Sequence, residues 1–161
     1  MTQPKAPAVR AGGGAPERPD PPRPVVLAVR LMYAGAAVTA IGVLISVIAV
    51  ISGGEDALRA DHPHATVAQL HATQNALITT AVVSGLLEVG AWIFMARANR
   101  GGLKWARIVA SLLFGLGTAN LILRVVTGGG VANLIYTAVT WLIGAGAVYF
   151  LWQRRASAWF T

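Results

Sequence analysis

Glu88 sits alone in the middle of the apolar stretch from Ala76 to Ala96, where a carboxyl can hold a proton, bind a cation or pin two helices together. The nine Leu, Ile, Val and Phe residues of that stretch favour insertion into a bilayer. They supply roughly 3 to 5 kcal/mol, against about 2.5 to 3.5 for one central charge. Such a helix inserts only marginally by itself, so it needs a proton on the carboxyl or partners on neighbouring helices. Glu88 shares a helical line with Ala81, Gly85 and Trp92, which turns it toward small residues. Thr39, in an earlier apolar stretch, falls at a matching depth and offers a hydroxyl. The sequence therefore casts Glu88 first as a neutral structural pin and second as an ion- or substrate-coupling group.

Other polar and small residues fall into helical stripes. Gly35, Thr39, Gly42 and Ser46 lie on one face of the first apolar stretch, and Asn133, Thr137, Thr140, Gly144 and Ala147 on one face of the last. In the third stretch, Ser111, Gly115, Thr118 and Ile122 form one line, and Gly117, Asn120 and Arg124 form another. Lipid gives helices no hydrophobic reason to associate, so close approach at small residues and interhelical hydrogen bonds must hold them together. Gly35, Gly42, Gly85, Gly115 and Gly144 are accordingly the expected packing positions. Glu88, Thr39, Asn120, Arg124 and Thr140 are the expected intramembrane polar site.

The three histidines, His62, His64 and His71, cluster in DHPHATVAQLH beside Asp61. Imidazole and carboxylate are ligands for zinc or copper, but three or four must converge on one ion. Pro63 hinders placing His62 and His64 on one helix face, so the segment reads as a solvated loop with a short helix from Thr66 onward. No metal site is expected. With no cysteine, the chain has no disulfide, thiolate metal site or thiol nucleophile. No histidine lies in an apolar stretch to ligate a haem, and no Walker loop, HExxH or GxSxG is present. The expectation is a protein that is not an enzyme and carries no cofactor.

The elements that must position these residues are four apolar helices. Hydrophobic residues make up 55% of the chain and charged residues only 12%, about half the share usual in soluble domains. Crossing a hydrocarbon core about 30 Å thick takes roughly 20 apolar residues. The reading is an all-α, four-transmembrane-helix bundle over 25–161 with spans at 31–51, 76–96, 108–126 and 131–152. An external loop over 52–75 and a cytoplasmic turn over 97–107 join the first three. The first stretch is about twice as long as a signal-peptide core and should stay attached.

The net charge of +7 does not point to nucleic acid, because the basic residues gather at the ends of apolar segments. All of the 13 except Arg59 and Arg124 fall on one side of a four-span threading. The positive-inside rule then places both termini in the cytoplasm, and Trp105, Trp152 and Trp159 mark the same boundary as an aromatic belt. Residues 1–24 hold every proline but Pro63, and they read as a disordered cytoplasmic tail that is first a plain tether, with weak attraction of Lys5, Arg10, Arg18 and Arg23 to anionic lipid as the lesser alternative. Its PxxP spacings, Pro16 to Pro19 and Pro21 to Pro24, are weak polyproline-ligand signals.

The strings LMYAGAA, FMARANRGGLKWARIVASLLFGLGT and VTWLIGAGAVYFLWQRRASAWF resemble small uncharacterised four-span membrane proteins of actinobacteria. The resemblance covers roughly residues 25 to 160; it implies the fold and a membrane location and nothing about activity. The expected protein is therefore a multi-pass plasma-membrane protein acting as an accessory or scaffold subunit. Its partners would be the bilayer and other membrane subunits or further copies of itself. The alternative is a small proton- or cation-coupled transporter working through Glu88.

Overall fold

The computed structural model describes residues 20–128 and 130–160, side chains at 54 and 55 aside. Most of the expected tail, including the Pro16 to Pro19 spacing, lies outside the described residues. The chain runs α1 (Arg23–Asp61), α2 (Val67–Arg100), α3 (Lys104–Val126), α4 (Val131–Leu151) and a single-turn α5 (Arg154–Ser157). The first four are long and apolar enough to cross a membrane. The protein is an all-α four-helix bundle of the multi-pass membrane kind.

The helices overrun the boundaries expected from hydropathy. α1 begins at Arg23, ahead of Leu31, and takes Pro24 into its first turn, where a missing N–H costs nothing. The Pro21 to Pro24 spacing is thus partly helical rather than an open polyproline segment. At its other end α1 continues through Ser52 and Gly53 and stops at Asp61, one residue before His62-Pro63. Proline disfavours helical backbone in the residue before it, and here it ends the helix. α2 then starts at Val67 on a capping box. The Gln69 N–H donates to Thr66 Oγ1 at 3.3 Å, and the Thr66 N–H donates to Gln69 Oε1 at 2.9 Å. The expected loop over 52–75 therefore contracts to 62–66, and the expected turn over 97–107 contracts to 101–103. Hydropathy sees only the lipid-facing part of a helix, and both connections are built from helix-forming polar residues.

α1 is the centre of the arrangement. It packs along α2 on one side and α4 on the other, α3 packs on α4, and α2 and α3 meet only sparsely. The helices therefore stand in the order α2, α1, α4, α3, with a gap between α2 and α3. The best-packed region is the end that carries both termini. There Val25, Ala28 and Met32 of α1 meet Met95 and Ala96 of α2, Ala106 of α3, and Ala147 and Leu151 of α4. Small side chains let the backbones approach, as membrane bundles require.

The C-terminus closes the same end. Phe160 and Ala156 are buried there, and Trp159 donates its indole N–H to the Arg100 carbonyl at 3.3 Å. Gly102 in the α2–α3 turn has φ +72°, a conformation that side-chain-bearing residues avoid, and Trp159 lies against it. The Arg107 guanidinium sits 4.0 Å from the Trp152 ring centroid and donates to Ser157 Oγ at 3.1 Å. Away from this end the helix surfaces are apolar and open, with Leu86, Leu87, Leu116 and Val126 well exposed. Such a surface suits hydrocarbon and not water.

Candidate membrane-embedded groove at Glu88

Three helices bring their polar residues to one place. Thr39 on α1 is fully buried and donates its hydroxyl to Glu88 Oε1 on α2 at 3.3 Å. Tyr136 on α4 lays its ring over Gly42 and brings its hydroxyl near Thr39. Each approach depends on a glycine. A Cβ at Gly42 would overlap the Tyr136 ring, and one at Gly85 would overlap Val43. A Cβ at Gly35 would come within 2.9 Å of the Trp92 indole.

Beyond this contact Glu88 is exposed, and what it faces is a groove of ≈ 490 Å³. The groove fills the gap between α2 and α3, with α4 as its floor. α2 contributes Ser84, Glu88, Ala91, Trp92 and Met95, and α3 contributes Leu113, Phe114, Gly117, Asn120 and Arg124. Tyr136, Thr137, Thr140, Trp141 and Gly144 come from α4, and Met32 from α1. Polar side chains gather toward the end away from the termini, and apolar ones line the rest. Arg124 Nε donates to Asn120 Oδ1 at 2.9 Å on its own helix. It lies seven residues past Gly117, about 10 Å further along α3. Among the described residues, the hydrogen bond from Thr39 is the one that Glu88 receives, so its second oxygen has no donor there.

The structure thus places Glu88, Asn120, Arg124 and Thr140 in one groove, with Thr39 bonded to Glu88 through its wall. Thr140 directs its hydroxyl to the carbonyls of Tyr136 and Thr137 on its own helix, so it is part of the lining without being a donor to Glu88. Of the expected packing glycines, Gly35, Gly42, Gly85 and Gly144 face neighbouring side chains, and Gly115 faces open space. The contact of α3 with α4 is carried by larger residues. Phe114 stacks with Trp141 at 5.4 Å, Trp141 donates its indole N–H to Thr118 Oγ1 at 2.9 Å, and Trp152 donates to Ser111 Oγ at 2.9 Å. The second line of α3, Gly117, Asn120 and Arg124, faces the groove and not another helix.

Sequence reasoning overlooked Tyr136 and Trp141. A signal existed, since both lie in α4 within one turn of the marked residues Thr137 and Thr140, but aromatic residues in apolar stretches read as bulk hydrophobes. The histidines do not come together. His62 caps α1, His64 is in the connection and His71 is in α2; among the described residues no group of three His, Cys, Asp or Glu could hold a metal ion.

Comparison with protein-family models, curated proteins and solved structures finds no match to this chain.

Proposed function

We propose that this chain is a small non-enzymatic carrier of the plasma membrane, with both termini cytoplasmic, in which Glu88 binds a proton or a cation. One observation carries the reading. The intramembrane carboxyl, one oxygen held by Thr39, lines a groove that also gathers Ser84, Asn120, Arg124 and Thr137. A carboxyl serving only to pin helices would be enclosed between them, because polar groups left facing hydrocarbon are costly. A coupling group has to be reachable. The orientation rests on the basic residues, which crowd the end holding both termini.

The accessory or scaffold reading keeps one observation in its favour: the Thr39 to Glu88 bond does tie α1 to α2. The two readings part in reconstituted vesicles. With a pH-sensitive dye trapped inside, a gradient of monovalent cation imposed across the membrane should change the lumenal pH in vesicles holding the protein and not in empty ones. No change with any monovalent cation, together with a stable larger complex recovered in gentle detergent, favours the scaffold.

A further inference from the structure

We infer that the ligand of the groove is an amphipathic organic monocation that enters sideways from the lipid, with its cationic head on Glu88 and its apolar body against Trp92 and Phe114. This rests on the carrier reading and names its substrate class.

The charge argument comes first. Glu88 is the one acidic group lining the groove, and its second oxygen has no hydrogen-bond donor among the described residues. Arg124, the basic group of the same groove, is engaged with Asn120 and makes no ion pair with Glu88. Thr39 of α1 and Tyr136 of α4 bring Glu88 no positive charge, so its carboxyl is the group of the groove that can pair with a cation. Arg124, further along, repels a second positive group and sets the limit at a monocation.

Size and lining decide against an inorganic ion. A hard divalent cation is held by a shell of about six oxygens, whereas the hydroxyls of Ser84, Thr137 and Thr140 donate to carbonyls of their own helices and Asn120 Oδ1 is taken by Arg124, which leaves the Glu88 carboxyl amid aromatic walls. Its volume of ≈ 490 Å³ falls in the range that encloses a small organic molecule. Trp92, Phe114, Tyr136 and Trp141 all line it, and aromatic faces attract organic cations that have shed their water. Access follows from the fold. Because α2 and α3 diverge, the groove opens at the depth of the bilayer, where an amphiphile is already concentrated.

The test uses the full chain in lipid nanodiscs, with tetraphenylphosphonium as probe and tetraphenylborate as an anion of the same shape. Calorimetry should show saturable binding of one phosphonium per chain. The borate should show no saturable binding above empty nanodiscs. Glu88→Gln, with helical circular dichroism unchanged, should bind the phosphonium at least about tenfold more weakly. Equal binding of borate and phosphonium, or a Gln variant as tight as wild type, overturns the inference. Absence of phosphonium binding in protein that still couples protons to inorganic cation flux overturns the ligand class and leaves the carrier standing. Absence of both overturns the two together.

Discussion

Thr39 on α1 donates a hydrogen bond from its hydroxyl to Glu88 Oε1 on α2 at 3.3 Å, from a position with no exposed surface. The bond holds one carboxyl oxygen against the helix pair and leaves the other without a donor among the described residues. It therefore fixes the orientation of the group without using up its capacity. Thr39→Val retains the branched shape and removes the donor. Interhelical hydrogen bonds in membrane proteins average about 0.6 kcal/mol, with about 1.7 at the upper end. Unfolding of the variant in detergent should show a loss in that range, and a loss of cation-driven proton movement larger than the stability change explains.

Gly85 and Gly115 differ in what surrounds them, and alanine at each should separate them. At Gly85 the added methyl meets all three side-chain carbons of Val43, a β-branched side chain with one favoured helical rotamer. Gly85→Ala should destabilise the α1–α2 pair by about 1 to 3 kcal/mol. At Gly115 nothing lies within 4 Å, so Gly115→Ala should be neutral or stabilising by up to about 1 kcal/mol. Equal effects in thermal unfolding of the two variants would contradict this packing.

Arg107 binds the C-terminal turn to α3 through the Trp152 ring, the Phe160 ring at 5.7 Å, and Ser157 Oγ. Arg107→Met retains most of the stem and removes the charge. It should lower stability by about 0.5 to 2 kcal/mol and increase protease access after Gln153. A variant with unchanged cleavage would show that the turn is held by Phe160 and Trp159 alone.

Much of this was legible in the chain, and the reasons are physical. Apolar length marks helices that cross lipid, so four of them were evident. The Gly35, Thr39 and Gly42 stripe and the line through Gly85, Glu88 and Trp92 follow from helical period alone, and they meet in the structure. What hydropathy hides is where a helix ends outside the lipid. Pro63 and the Thr66 to Gln69 capping box set those limits, and they do so by local backbone chemistry. Nor does a stripe say what it faces. Gly117, Asn120 and Arg124 resembled a second helix contact, yet they line a groove, because α3 leans on α4 and not on α2.

The histidine segment makes a contrasting prediction. The cap at the end of α1 is a backbone bond, His62 N–H to the Leu58 carbonyl at 2.8 Å, which does not involve the imidazole. Replacing His62, His64 and His71 together by Ala should leave folding and abundance unchanged, whereas Thr66→Ala should cost about 1 kcal/mol through the lost cap. Stoichiometric zinc or copper in the purified wild type, absent from the triple variant, would count against the reading.

The most direct measurement compares Glu88→Gln and Glu88→Leu with wild type for unfolding midpoint and for cation-driven proton movement in the same vesicle preparation. Gln keeps the shape and accepts the Thr39 hydroxyl but cannot exchange a proton, so that variant should be as stable as wild type, or more so, and inactive. Leu removes the bond and adds a branch among small residues, so that variant should lose about 1 to 2 kcal/mol as well as activity. A Gln variant that moves protons at the wild-type rate would contradict the account and make Glu88 a pin.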